Sequence, residues 1–91
     1  MSDPLAQRAG TVLELTLLIR RDCPLCEEFH SAFLHWNARA RPHRLRVLDV
    51  DSEPALAARF GARIPVLIHE GEELCAVHFC GDKLNAHAAA D

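Results

Sequence analysis

The apolar positions of this chain follow two different periods, and the places where the period changes mark its elements. Within Thr11–Ile19, residues Leu13, Leu15, Leu17 and Ile19 share one face at a spacing of two, while Val12 and Leu18 take the other. Apolar residues on both faces predict a strand covered on both sides, such as the central strand of an α/β sheet. After Cys23 the period lengthens. Leu25, Phe29, Ala32, Phe33, Trp36 and Ala40 lie along one stripe at helical spacing, with Glu27, Glu28 and Asn37 pointing elsewhere. Pro24 suits the first turn of that helix, where a missing N–H is no loss, and Pro42 marks its end.

Alternation returns in Arg44–Val50, where Leu45 and Val47 share a face before the register blurs at Leu48. This predicts a second strand, parallel to the first through a right-handed crossover. Asp51-Ser52-Glu53-Pro54 reads as a helix start with Asp51 or Ser52 as N-cap, and Leu56, Arg59 and Phe60 follow until Gly61 stops the helix. Ile64–Ile68 predicts a third strand, His69–Glu72 a turn and Leu74–Phe79 a fourth strand. So short a connection makes the last two an antiparallel hairpin. A final helix begins at Asp82 as N-cap and takes in Leu84 and the alanine-rich tail. Met1–Gly10 carry no sustained period and read as a short arm.

Length and charge narrow the class. Ninety-one residues suffice for one domain, 1–91, with a single core. A hydrophobic fraction of 49% and a charged fraction of 25% are those of an ordinary soluble globular protein. The net charge of -3 has both signs interspersed, which argues against a nucleic-acid or anionic-membrane surface. Met1-Ser2-Asp3-Pro4 lacks the basic and apolar regions of an export signal, and no apolar run approaches membrane-spanning length. The expected location is the cytoplasm. In that reducing compartment four cysteines do not suggest a static disulfide framework, so Cys23-x-x-Cys26 should be catalytic, redox-sensing or metal-binding.

The two thiols sit where a strand hands over to a helix. Free N–H groups and the positive dipole end of a helix stabilise a thiolate, so Cys23 at the helix edge should be the reactive cysteine. Cys26, one turn deeper, can reach back to close and reopen a disulfide. A rival reading joins Cys23 and Cys26 to Cys75-x4-Cys80 as four thiolates for tetrahedral zinc. The strand-then-helix setting and Pro24 fit exchange better than a zinc knuckle, so no metal ligands are assigned. Cys75 is expected to pack as a small core hydrophobe, and Cys80 as a structural cysteine, with a third redox thiol as the alternative. The six histidines have no ligand-like spacing, and His30 reads as a helix-face residue.

Five features together resemble the glutaredoxin-like branch of the thioredoxin superfamily, particularly its small bacterial members. They are Arg20 three residues before Cys23, the Cys23-Pro24-Leu25-Cys26 motif, the Val50-Asp51-Ser52 strand end, Arg63-Ile64-Pro65-Val66-Leu67, and Gly81-Asp82 before the last helix. The resemblance spans Leu13 to Leu84. It implies an α/β, thioredoxin-like fold, βαβαββα, with a four-stranded mixed sheet flanked by helices, and a cis Ile64–Pro65 bond lying against the cysteine pair. It also implies a thiol–disulfide oxidoreductase: Cys23 attacks a protein or glutathione mixed disulfide and Cys26 resolves the intermediate. Arg20 and Arg21 would favour the thiolate and Asp22 would oppose it. Carried over residue by residue, the substrate or glutathione contacts are Arg20, Ile64, Pro65, Gly81 and Asp82. No tightly bound cofactor is expected. Glutathione is a candidate co-substrate, disulfide-containing proteins are candidate partners, a reductase is a candidate electron donor, and the chain is expected to be a monomer. Leu25 stands where these relatives usually have tyrosine, and Cys80-Gly81-Asp82-Lys83 replaces their Gly-Gly-x-Asp-Asp. The alternative from another class is an adaptor or binding module that keeps the cysteines for a partner protein or a metal.

Overall fold

The structure, a computed structural model, describes residues 12–39 and 42–90. The arm expected over Met1–Gly10, together with Thr11 and Ala40, lies outside the described residues. The elements are β1 (Glu14–Ile19), α1 (Pro24–Arg39), β2 (Arg44–Asp49), a 3-10 turn (Val50–Ser52), α2 (Pro54–Phe60), β3 (Val66–His69), β4 (Glu72–Ala76) and α3 (Gly81–Ala90). They form one sheet of order β2-β1-β3-β4, with β1 parallel to β2 and antiparallel to β3, and β3 antiparallel to β4. The expected βαβαββα order and mixed four-stranded sheet are both present.

β1 is covered on both faces, as its apolar pattern requires. Leu13, Leu15 and Leu17 enter a core with Phe29 and Phe33 of α1 and Leu84 of α3. Leu18 turns to the opposite face, where Val50, Phe60 and Val66 bury it, with Leu56 packed alongside. Helices α1 and α3 therefore lie on one side of the sheet and α2 on the other. At the start of β1 the Leu13 N–H donates to Nδ1 of His43 at 3.0 Å, so a buried ring closes off the strand. Asn37 in α1 holds that ring's backbone, accepting from the His43 N–H at 2.7 Å and donating to its carbonyl at 3.0 Å.

Several boundaries differ from those the sequence suggests, each for a local reason. Asp51 and Ser52 do not cap α2. They belong to the 3-10 turn, where Asp49 accepts the Asp51 N–H at 2.8 Å, and Glu53 takes the N-cap position ahead of Pro54. The β3–β4 turn is only Glu70–Gly71, with φ of 50° and 82°, a primed geometry whose twist matches antiparallel strands. β4 stops at Ala76 because Val77 adopts φ 68°. α3 begins one residue before Asp82, with the Cys80 carbonyl accepting the Leu84 N–H at 3.1 Å. Leu25 does not join the apolar stripe of α1. It is 43% exposed, since the first turn projects past the sheet.

Phe33 is fully buried and its ring meets both Trp36 and Phe79. Truncation there removes transfer energy and leaves a cavity that aromatic neighbours fill poorly. Phe33→Ala should cost about 3–5 kcal/mol of unfolding free energy, measured by urea denaturation. A loss near zero would mean that the core on this side of the sheet is not packed as described.

Candidate functional site

The polypeptide leaves β1 at Ile19, turns through Arg21 and Asp22, and enters α1 at Pro24. Asp22 has φ 53°, a left-handed conformation that aspartate tolerates better than most residues. Cys23 is the N-cap of α1. Its carbonyl accepts the Glu27 N–H at 3.1 Å, and its Sγ accepts the Cys26 N–H, also at 3.1 Å. Sulfur thus takes the place that a serine or aspartate oxygen usually fills at a helix start. An N–H donated to sulfur, together with the helix dipole, favours negative charge on Cys23 when the pair is reduced.

Cys23 is bonded to Cys26, their Cα atoms 5.2 Å apart. Cys26 is only 3% exposed and Cys23 is half-buried, so one sulfur faces outward and the other lies beneath it. This is the asymmetry that exchange needs, an accessible nucleophile with a shielded resolving thiol. The Ile64–Pro65 peptide bond is cis, as the resemblance implied. Pro65 is buried, and its carbonyl accepts the Val77 N–H at 2.8 Å.

Val77 opens a segment that the sequence reads as strand. The His78 N–H bonds back to the Ala76 carbonyl at 2.7 Å, making a three-residue γ-turn about Val77. A β-branched residue in the left-handed region costs about 1–3 kcal/mol and persists only where its surroundings hold it there. Val77, His78 and Phe79 face Leu25, Glu28, Phe29 and Ala32 across a cleft of about 240 Å³. A broader groove of about 1030 Å³ runs along α1 from Glu27 to Arg39 and shares Glu28, Ala32 and Phe79 with the cleft. The smaller cleft includes Leu25 of the cysteine motif and, like the groove, is lined by neither Cys23 nor Cys26.

The two remaining cysteines are not independent. Cys75 in β4 and Cys80 before α3 form a second disulfide, their Cα atoms 5.9 Å apart. Cys75 does lie in the core, 4% exposed, but as a bonded half-cystine and not as a lone apolar residue. The structure does not gather the four sulfurs at one point, as the four-thiolate zinc arrangement would require. The sulfurs are committed to two separate bonds, and no group of three or more His, Cys, Asp or Glu is placed to hold a metal among the described residues.

Arg20 follows β1, but its guanidinium is turned toward Asp51. Nε and Nη2 donate to the two Asp51 carboxylate oxygens at 2.8 and 3.1 Å, and Nη1 donates to the Gly61 carbonyl at 3.2 Å. This fork joins the end of β1 to the 3-10 turn and to the end of α2. Ile64 is half-buried beside Pro65, and Gly81 and Asp82 open α3, with Asp82 exposed in its first turn. Gly81 lies so close to the aromatic floor that an added Cβ would come within 3.2 Å of Trp36 Cδ1 and 3.4 Å of Phe79 Cε2.

The hydrogen bond from Arg20 holds the Asp51 carboxyl below its ordinary value of 3.8, the nearby positive charge adding to it. A carboxylate whose pKa is lowered by folding stabilises the fold above the unfolded value. That contribution fades as pH falls through the folded value. Urea unfolding of wild type and Asp51→Asn should therefore differ most at neutral pH and converge below about pH 4. A gap independent of pH would mean that the carboxylate charge contributes nothing.

Comparison with known proteins agrees with this geometry. Residues 14–88 match the model of the Glutaredoxin-like domain (DUF836) family. No curated protein matches the chain. Among solved structures, the chain is similar to the structural-genomics target protein XcR50 from X. campestris, with 32% identity over 85% of this chain and 97% of that one, and a TM-score of 0.62. A malarial protein shares the fold at 18% identity, a TM-score of 0.54 and coverage of 84% and 92%. So does Trxlp from Edwardsiella tarda EIB202, at 18% identity, a TM-score of 0.52 and coverage of 97% and 94%. A thioredoxin-like fold carrying the Cys23–Cys26 pair supports a redox thiol function, and with the match over residues 14–88 the chain belongs to the glutaredoxin-like domain family.

Proposed function

We propose that this protein is a thiol–disulfide oxidoreductase that reduces disulfides of proteins or mixed disulfides of glutathione. The observation that carries the reading is the Cys23 sulfur at the N-cap of α1, accepting the Cys26 N–H at 3.1 Å while bonded to the buried Cys26. In the reduced form, the Cys23 thiolate attacks one sulfur of the substrate disulfide. The other substrate sulfur leaves with a proton, and a mixed disulfide remains on Cys23. Cys26 gives up its proton and attacks Cys23 Sγ, which releases the second substrate thiol and re-forms the Cys23–Cys26 bond. The substrate's disulfide has then gained two electrons and the enzyme's dithiol has lost them. A thiol donor, glutathione or a reductase, returns the pair to the reduced state.

The substrate lies in the cleft between Leu25 and Val77–Phe79, which has an apolar floor at Phe29 and Ala32. Ile64, Pro65, Gly81 and Asp82 are its further contacts. Arg20 acts by fixing the turn that carries Cys23, because its donors are engaged with Asp51 and Gly61. With that guanidinium occupied, the cleft favours protein disulfides over glutathione. Leu25 supports this preference, since it offers 43% of its surface to an apolar partner. Reaction in the cytoplasm by a monomer fits this chemistry. Among the described residues no helix is long and apolar enough to cross a membrane.

Cys23→Ser should abolish turnover of a disulfide substrate. Cys26→Ser should instead accumulate a mixed disulfide on Cys23, seen as an added mass that dithiothreitol removes. Both are measured with glutathione and with a thioredoxin reductase as donor. Absence of cysteine-dependent turnover with either donor would replace this reading with that of an adaptor.

A further inference from the structure

The disulfide between Cys75 and Cys80 has no part in the exchange described above, yet it closes a short ring around the segment that walls the cleft. The ring holds Ala76, Val77, His78 and Phe79, of which the last three line the cleft opposite Leu25. Val77 within it is held at φ 68° by the ring and by two backbone hydrogen bonds, to the Pro65 carbonyl and across the γ-turn. Opening the ring removes the covalent part of that restraint.

Cys80 shares one feature with Cys23. Each is the residue whose carbonyl accepts the first hydrogen bond of a long helix, from Glu27 in α1 and from Leu84 in α3. That helix start favours a thiolate on Cys80, while the Leu74 carbonyl beside its sulfur favours the thiol. The dithiol form also has hydrogen-bond acceptors ready. The Cys80 carbonyl is 3.8 Å from Cys75 Sγ, and the Leu74 carbonyl is 3.5 Å from Cys80 Sγ. Of the two residues, Cys75 is buried and Cys80 half-buried, so an incoming thiolate reaches Cys80.

We infer that Cys75 and Cys80 are a second redox-active pair, whose oxidation state sets the shape of the cleft wall formed by Val77–Phe79. The reductant is a small thiol or dithiol. Its thiolate attacks Cys80 Sγ, the Cys75–Cys80 bond breaks, and the Cys75 sulfur leaves and takes a proton. A second thiol of the reductant, losing its proton, attacks the mixed disulfide and frees Cys80. Two thiols are oxidised to one disulfide, and one protein disulfide becomes two thiols. With the bond intact the wall is fixed and the cleft is ready for substrate. With the bond open, Val77 relaxes from its left-handed conformation and the cleft binds substrate less well. The effect on substrate rests on the cleft being the substrate site proposed above; the redox behaviour of the pair does not.

A Cys23→Ser/Cys26→Ser variant leaves only this pair to titrate. Equilibrated with reduced and oxidised dithiothreitol and trapped with a maleimide, it should gain two labels together while its circular dichroism stays native. Hydrogen exchange at the Val77 and His78 amides should be about tenfold faster in the reduced form. A bond that survives until the domain unfolds, or one that opens with no change at those amides, would overturn the inference. Turnover adds a second readout in Cys75→Ser/Cys80→Ser, whose hydroxyls keep donors for the same two carbonyls. KM for a protein disulfide should rise by about tenfold with kcat within about twofold of wild type. A fall in kcat at unchanged KM counts against the inference. If wild type itself shows no turnover, the proposed function fails, and labelling with hydrogen exchange still decides whether the pair is redox-active.

Discussion

Burial of β1 on both faces is the constraint from which the positions of the functional groups follow. Leu15 and Leu17 point to the side of the sheet that carries α1 and α3, and Leu18 points to the side that carries α2. Each buried leucine contributes on the order of 1.5–3 kcal/mol, enough that the strand cannot shift by one residue without exchanging its two faces. With β1 fixed, the turn at Arg21–Asp22 has one place to be. The first turn of α1 must then project past the sheet, bringing Cys23 to the surface and Cys26 into the interior. The same geometry exposes Leu25, which a longer sheet would have covered.

Around this anchor the chain repeats a device. Two long helices begin at a cysteine, and each of those cysteines is bonded to another only a few residues away in sequence, Cys26 in one case and Cys75 in the other. At Cys23 sulfur takes the place of the usual capping oxygen and accepts the Cys26 N–H. The arginine just before the motif takes a supporting part. Arg20 gathers Asp51 and the Gly61 carbonyl, tying the approach to Cys23 to two segments on the far side of the sheet. Its charge is thereby compensated by a carboxylate, which leaves the helix start as the nearer source of positive potential for the sulfur.

The element order, the central strand and the helix start behind Cys23 were legible because each follows from local rules. Period two on both faces means a covered strand, and proline at the first helical position behind a cysteine means a helix entered at that sulfur. What was not legible depends on contacts between distant residues. Valine at position 77 has high strand propensity, and its left-handed turn goes with the hydrogen bond to the Pro65 carbonyl, the bond across the γ-turn and its place inside the ring between Cys75 and Cys80. Pairing among four cysteines cannot be read from their spacing. His43 carried no signal either, because its role as acceptor for the Leu13 N–H depends on chain segments thirty residues apart meeting at one end of the sheet. Arg20 drew notice by its place before the motif as a contact for substrate, whereas the fork with Asp51 and the Gly61 carbonyl becomes visible only once the end of β2 lies beside β1.

Trp36 stands at the meeting of these features. It donates its Nε1–H to Asn85 at 3.1 Å, stacks on His43, and meets Phe79 and the start of α3 at Gly81. The chain has one tryptophan and no tyrosine. Ultraviolet emission from this protein therefore arises from a single indole wedged between α1 and α3, and its wavelength and quenching report, without any added dye, how the base of α3 sits against the rest of the molecule.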